Sequence, residues 1–553
     1  MSAMKKKRKP TGNPLQRFKK KLVGTRWIRR VFKERCHSKT PADPGVVVIQ
    51  IDGLSHRQIR RALARNRLPN LRRLVEKDGF ILTPLYSGMP SSTPAVQGEL
   101  FYGVKSSVPA ISFYDRSKKK KFNLLLPGSA DEMARELEKQ GKPLLKEGSS
   151  YSNIYTGGAD EARYCTQTMT LRSIRHLASS VKLFVLLAAQ PVKFVRMIGY
   201  AILEAGIALY DFIRGVGKGN SVFKELKFIP TRVFLCILLR ELIRTRVKMD
   251  VRKGMKIVHA TFLGYDEQAH RRGPGSAFAH WTLKGIDDAV ADIHRTAQHS
   301  ECRKYRLIVY ADHGQEAVIP YEKHSGKPLE EVVGQVIDSP APSRGKQAAE
   351  TEWGGGRFFN QRAQGLLFKN IAPEPSEKRT GVDRFQIKAL GPFGHIYLFP
   401  PPGSQKKAQL AEALANEGKI PLILYVSNGD VMAVNRKGKF AVKDHAEVLL
   451  GVDHPFVNQT AEDLVRTCRH PDAGDLVISG WTPEGTPITF AVENGSHGGP
   501  GKEETAGFVV LPPELSGSKS FLRPLDLRSR IFRIFDAEGI QSDDEPVEAR
   551  QRK

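Results

Sequence analysis

The segment PADPGVVVIQIDG, residues 41–53, sets a turn before a β-branched run too short and too rich in Val and Ile for a helix, so it predicts a buried strand ending on Asp52. A helical pattern follows through SHRQIRRALARNRLPNLRRLVEKDG, and FILTPLYS then predicts another strand. Further strand candidates are KIVHATFLGYD, YRLIVYADHG, HIYLFP, PLILYV, DLVISG, ITFAVEN and GFVVLP. Helical patterns such as FAHWTLKGIDDAVADIHRTAQHS and SQKKAQLAEALANEG separate several of them. Strands alternating with helices predict an α/β layered domain with a largely parallel central sheet flanked by helices. In such a sheet ligands gather beyond the carboxyl ends of the strands, so polar residues at strand ends are the ones to inspect.

One region breaks the alternation. Residues 171–251 read as a helical insertion, apolar but dotted with Lys and Arg, as in VKLFVLLAAQPVKFVRMIGYAILEAGIALYDFIRG. Its longest uncharged stretch, Leu183 to Val192, has ten residues, about half of what a spanning helix requires. It is expected to pack as a lid or to lie in a membrane interface. The catalytic domain is then expected over 41–170 and 252–535, with a disordered tail at 536–553.

Charge sharpens this division. Of the formal +29, residues 1–40 contribute +14, from fifteen Lys or Arg against the single acid Glu34. With Leu22, Val23, Trp27, Ile28, Val31 and Phe32 between the charges, this arm predicts an anionic partner, a membrane surface ahead of nucleic acid. No basic start followed by an apolar signal core is present, and the five cysteines, Cys36, Cys165, Cys236, Cys302 and Cys468, have no CxxC spacing. They are expected to be reduced, in a cytoplasmic chain peripheral to the inner face of the membrane.

The stretch GMPSSTPAVQGELFYG, residues 88–103, places Thr93 where it is expected to cap a helix, with Pro94 at the first helical position. The same geometry suits an attacking hydroxyl, because backbone donors at a helix start favour an anion. At the expected strand ends stand Asp52, Asp266 and His270 in FLGYDEQAHRRGP, Asp312 and His313 in LIVYADHGQ, and His497 in VENGSHGGPGKEE. Together with Thr93 they supply the oxygen and imidazole donors suited to borderline divalent metals such as zinc. Asp266 and His270, four apart, share a face if their segment is helical. Asp312 and His313 converge only if the strand ends in a turn, which Gly314 is expected to supply. His324, His395 and His454 have no partner spacing and read as structural.

The series IDG, PxxT, DxxxHxxGP, ADHG and SHGG, in that order over roughly Val46 to Pro512, resembles the alkaline phosphatase superfamily and, within it, the type I phosphodiesterase/nucleotide pyrophosphatase group. The resemblance implies two zinc ions, one held by Asp266, His270 and His497, the other by Asp52, Asp312 and His313 with Thr93. It implies a phosphoester substrate and hydrolysis by in-line displacement through a phosphothreonine, with Thr93 as nucleophile. The alternatives are a phosphomonoesterase of the same superfamily and a non-catalytic membrane or nucleic-acid binding protein on a hydrolase fold. Where the group commonly has an aromatic residue, Pro and Asn after its threonine, this chain has Pro94, Ala95 and Val96.

Overall fold

The strand Pro44–Ile51 is buried along its whole length. Its alternate residues serve opposite faces, Val47, Ile49 and Ile51 in one core cluster and Val46 and Val48 in another. Burial on both faces is why this run is apolar throughout except for Gln50, rather than alternating. The computed structural model describes residues 36, 43–168, 195, 198–199, 201–203, 205–206, 209, 234–337 and 384–536. The expected tail and, apart from Cys36, the expected arm lie outside the described residues, Asp536 excepted.

Pro44–Ile51 is central in a seven-stranded sheet ordered Ile81–Tyr86, Ala506–Leu511, Lys304–Ala311, Pro44–Ile51, Ile257–Phe262, Ser149–Tyr151, Glu161–Arg163. The last five run parallel, whereas Ala506–Leu511 is antiparallel to both neighbours. Helices His56–Ala64, Pro69–Glu76, Arg240–Lys253 and Ala277–Gln298 cover one face through residues such as Ile59, Leu71, Val247 and Leu283. Helices Thr93–Tyr102, Pro127–Gln140 and Pro524–Asp536 cover the other through Leu100, Leu137 and Ile531. This is the expected layered α/β architecture.

Three differences stand out. HIYLFP, PLILYV and DLVISG do not join this sheet; they lie in a second, six-stranded antiparallel one, with Phe393–Leu398 and Leu422–Ser427 flanking Leu476–Ser479. Period alone cannot assign a short apolar run to one sheet or another, and ITFAVEN yields only the two-residue strand Ile488–Thr489. The expected end of the insertion at 251 falls inside the main layer, because Leu239, Ile243, Val247 and Val251 belong to the core. The expectation of reduced cysteines fails as well. Cys36 and Cys302, 266 residues apart, are disulfide-bonded with Cα atoms 5.8 Å apart, while Cys165 and Cys468 are buried and not in disulfides. Disulfides belong to oxidising settings, so the thiol argument for a cytoplasmic chain falls away. Among the described residues no helix is long and apolar enough to cross a membrane.

Candidate metal centre and nucleophile

Five of the seven candidate side chains are placed by what happens immediately after a parallel strand. Asp52 follows Pro44–Ile51, and Asp312 and His313 follow Lys304–Ala311. Asp266 and His270 sit one turn apart on the helix Gly264–Arg272, which follows Ile257–Phe262. Thr93 opens the helix after Ile81–Tyr86, and His497 lies in the loop leading into the antiparallel Ala506–Leu511, which begins at this end of the sheet. All seven are buried.

Asp52, Asp312 and His313 form one group whose ligand atoms lie within 4.8 Å of one another, and Asp266, His313 and His497 form another. His313 Nε2 is 3.4 Å from Asp312 Oδ2 and 3.8 Å from Asp52 Oδ1. The His313 and His497 rings stack with centroids 3.8 Å apart, and His497 Nε2 is 3.9 Å from Asp266 Oδ1. His270 Nε2 lies 3.4 Å from Asp266 Oδ2. His313 therefore bridges the two groups, in a position where the resemblance implies His270 for the second.

Each imidazole is oriented from its far side. His313 Nδ1 is 2.9 Å from the Gly314 carbonyl, His497 Nδ1 3.1 Å from the Ser91 carbonyl, and His270 Nδ1 2.9 Å from both the Gly495 carbonyl and Glu493 Oε2. With Nδ1–H donating to oxygen, Nε2 is the ring nitrogen turned towards the carboxylates, the arrangement found around metal-ligating histidines. Burial would depress the His270 pKa, but the Asp266 and Glu493 carboxylates more than offset it and raise the value. Burial, reinforced by His313, lowers that of His497. For Asp266, burial opposes ionisation and the His270 charge outweighs it, so its carboxyl is held low. Asp312 is the reverse: burial raises it, although His313 pulls the other way.

Asp312 also tests whether a cation fits. Both its carboxylate oxygens are buried and lack a well-aligned hydrogen bond, and the burial that raises its pKa is only partly offset by His313 and the nearby Thr93 hydroxyl. A buried carboxylate in that state is costly unless a cation or a proton neutralises it. The donor set of carboxylate oxygens and imidazole nitrogens fits a divalent ion of the zinc type.

Thr93 departs from its expected capping role. The helix cap is Ser92, in extended conformation and making no side-chain capping bond, and Thr93 is the first helical residue. Its hydroxyl lies 3.4 Å from Asp52 Oδ1 and 3.3 Å from His313 Nε2. Gly314 follows the end of the strand at Ala311. It has no left-handed backbone; it is needed because a Cβ would meet the Glu503 carbonyl at 2.1 Å and Ser55 Cβ at 2.5 Å. Gly53 needs both properties, with φ +71° and an added Cβ only 2.3 Å from Asp266 Oδ1.

Several supporting residues were not identified by the sequence reading. Gln50 donates to Asp52 Oδ1 at 3.3 Å and accepts from Tyr310 at 2.8 Å, and Tyr310 in turn meets His259 at 2.9 Å. Gln315 donates to Asp266 Oδ1 at 2.5 Å. The signal for Gln50 was present, as the lone polar residue in VVVIQI. His395 and His454 bond backbone carbonyls of Pro109 and Pro500 at 3.1 and 3.0 Å, as structural histidines do.

No protein-family model and no curated protein matches the chain. Among solved structures, the chain is similar to phosphonoacetate hydrolase from Sinorhizobium meliloti 1021 in complex with phosphonoformate, with 12% identity, TM-score 0.45, and coverage of 90% of this chain and 97% of that one. It is also similar to murine ectonucleotide pyrophosphatase/phosphodiesterase 5 in complex with AMP, with 10% identity, TM-score 0.44, and coverage of 89% and 95%.

Proposed function

We propose that the chain is a metal-dependent phosphoester hydrolase that acts on phosphodiesters or nucleotide pyrophosphates, with Thr93 as nucleophile. The observation that carries this reading is the place of the Thr93 hydroxyl, 3.4 Å from Asp52 Oδ1 and 3.3 Å from His313 Nε2, at the edge of two acid–imidazole groups that share one histidine. Asp52, Asp312 and His313 would hold one divalent ion and Asp266, His270 and His497 the other, with zinc the metal that best suits these donors. When bound, such ions supply Lewis acidity that lowers the pKa of a hydroxyl and stabilises a leaving oxygen.

The chain's own residues do the rest. Asp52 and His313 hold Thr93 Oγ1 at the start of its helix, where the dipole favours negative charge on the attacking oxygen. A bond forms from Thr93 Oγ1 to phosphorus as the bond to the leaving alkoxide or phosphate oxygen breaks, and the proton lost by the Thr93 hydroxyl passes through solvent to that oxygen, which gives a threonine phosphoester. Water then bonds to phosphorus and Thr93 Oγ1 departs, so two inversions give net retention. As partners we infer a phosphoester substrate at the site and, for the basic arm, an anionic surface, a membrane leaflet ahead of nucleic acid.

The test is to reconstitute the purified chain with zinc, determine metal content, and assay a nitrophenyl phosphodiester beside a nitrophenyl phosphomonoester. About two metal ions per chain and preference for the diester are expected. Turnover of the monoester alone would replace the diesterase assignment with a monoesterase; no metal and no turnover of either would leave a non-catalytic binding protein.

A further inference from the structure

The two ends of the apolar insertion behave differently. At its C-terminal end, Leu239, Ile243, Val247 and Val251 are buried in the main core. Earlier in the segment, the described helical positions carry Val195 at 67% exposure, Ile198 at 41%, Ile202 at 68%, Leu203 at 44% and Leu209 at 51%. Val195, Ile198, Ile202 and Leu209 are spaced by three, four and seven residues, the spacing of one helix face, and Leu203 lies at its margin. Gly199 and Gly206 fall within the same run, and a Cβ built on either meets nothing within 4 Å. Two kinds of observation, side-chain exposure and the open space at the glycines, thus describe one uncovered apolar stripe.

We infer that this stripe seats the protein on an anionic lipid bilayer by burying Val195, Ile198, Ile202, Leu203 and Leu209 at the boundary between headgroups and acyl chains. Charge selects the occupant. Residues 169–233 contain ten Lys or Arg against three acids, a net +7, with Lys193 and Arg196 immediately beside Val195. An apolar helix face amid basic residues is the composition of an interfacial helix, in which anionic headgroups attract the basic residues and the acyl boundary takes the apolar ones. The insertion's longest uncharged stretch, ten residues, is about half of what a spanning helix requires, so the expected seat is one leaflet. This inference stands independently of the hydrolase reading, because it uses none of the seven candidate site residues.

The experiment uses the full chain and its Ile202→Glu/Leu209→Glu variant, sedimented with phosphatidylserine/phosphatidylcholine vesicles at low and high salt. Both substituted positions are exposed, so the fold is expected to be kept. The wild type should retain vesicle binding in high salt, and the variant should bind at least about tenfold more weakly there, given the apolar area withdrawn from the bilayer. Equal binding by the two proteins, or no binding by the wild type at low salt, overturns the inference. So does tight binding of duplex DNA without vesicle binding, which assigns the basic residues to nucleic acid. A wild-type dimer in light scattering that becomes a monomer in the variant, without vesicle binding, assigns the stripe to self-association instead. Turnover of a soluble nitrophenyl phosphodiester is expected to be unchanged in the variant; if both proteins lack it, the hydrolase reading fails while the vesicle result still stands.

Discussion

Two sets of buried acids lie close together in this protein, and one member of the first, Asp312, is held unlike the acids of the second. Asp52, Asp266 and Asp312 face imidazole nitrogens, and Asp312 has no good hydrogen-bond donor at either oxygen. Glu316, Glu503 and Glu504, by contrast, are filled with donors. Glu504 accepts from Gly499 N and Gly501 N at 2.8 Å each and from Ser91 Oγ at 3.3 Å. Glu316 accepts from Glu503 N at 2.6 Å, and Glu503 accepts from Ser55 Oγ at 2.7 Å and pairs with Arg57. The difference separates a site from its scaffold: an acid supplied with donors fixes the backbone around it, whereas an acid left short of them is set up for a cation.

The largest effect should come from Asp312. Asp312→Asn removes the charge that a cation would neutralise, so metal content and turnover should both collapse, while the metal-free protein should be no less stable than the metal-free wild type. Metal analysis and denaturant unfolding in chelator check this. An Asn variant that keeps its metal would place Asp312 with the scaffold acids. Thr93→Ala should lower turnover at least about a thousandfold yet leave metal content intact, with a stability change of about 1 kcal/mol or less. Turnover close to that of the wild type would return Thr93 to a packing role.

How much of this contrast was legible in the sequence follows from the same physics. The strand ends were, because a continuous apolar run followed by Asp is a local pattern, as in VVVIQID and LIVYAD. The helical spacing of Asp266 and His270 was legible for the same reason. The sharing of His313 was not, since it depends on how loops from Asp52 and His497, hundreds of residues apart in sequence, approach one another. Nor was the shift of the helix cap from Thr93 to Ser92, because Ser-Ser-Thr offers three hydroxyls and only the approach of Asp52 and His313 selects among them. The Cys36–Cys302 pairing likewise depends on proximity in space that spacing does not encode.

A smaller effect is expected on the scaffold side. Ser91 links the two loops: its carbonyl accepts from His497, its hydroxyl donates to the Gly499 carbonyl at 2.8 Å and accepts from Gly498 N at 3.0 Å, and Glu504 lies beneath it. Glu504→Gln keeps the size but replaces one acceptor oxygen with a donor that faces backbone N–H groups. The loop holding His497 should loosen, weakening metal affinity or turnover by about 10–100-fold, as is usual for residues that orient ligands from behind. Calorimetric metal titration reads this directly. An unchanged affinity would mean that the Ser91 contacts alone position His497.

The last effect is a pH dependence of stability to which the scaffold acids contribute. Burial, with Glu504 adding repulsion, raises the Glu316 carboxyl from 4.5 to about 8, and burial raises that of Glu504 from 4.5 to about 7. Backbone donors hold the Glu504 carboxylate in place, yet they carry no full charge, so they only partly offset the burial and crowding that favour the protonated forms. Because both folded-state values lie above the unfolded ones, the folded protein binds more protons between them. Stability from these groups is therefore complete below about pH 4.5 and is lost as pH rises towards about 8, at up to about 1.4 kcal/mol per pH unit for each proton. Metal binding by the aspartate–histidine set runs the other way, since protons compete with the metal, so the measurement belongs in chelator. Denaturant unfolding at several pH values between about 5 and 8 should show falling stability in the wild type and a flatter profile in Glu316→Gln, whose side chain stays neutral throughout. If the two profiles have the same slope, Glu316 holds no proton in the folded protein, and the scaffold acids are stabilised by their donors as fully charged carboxylates.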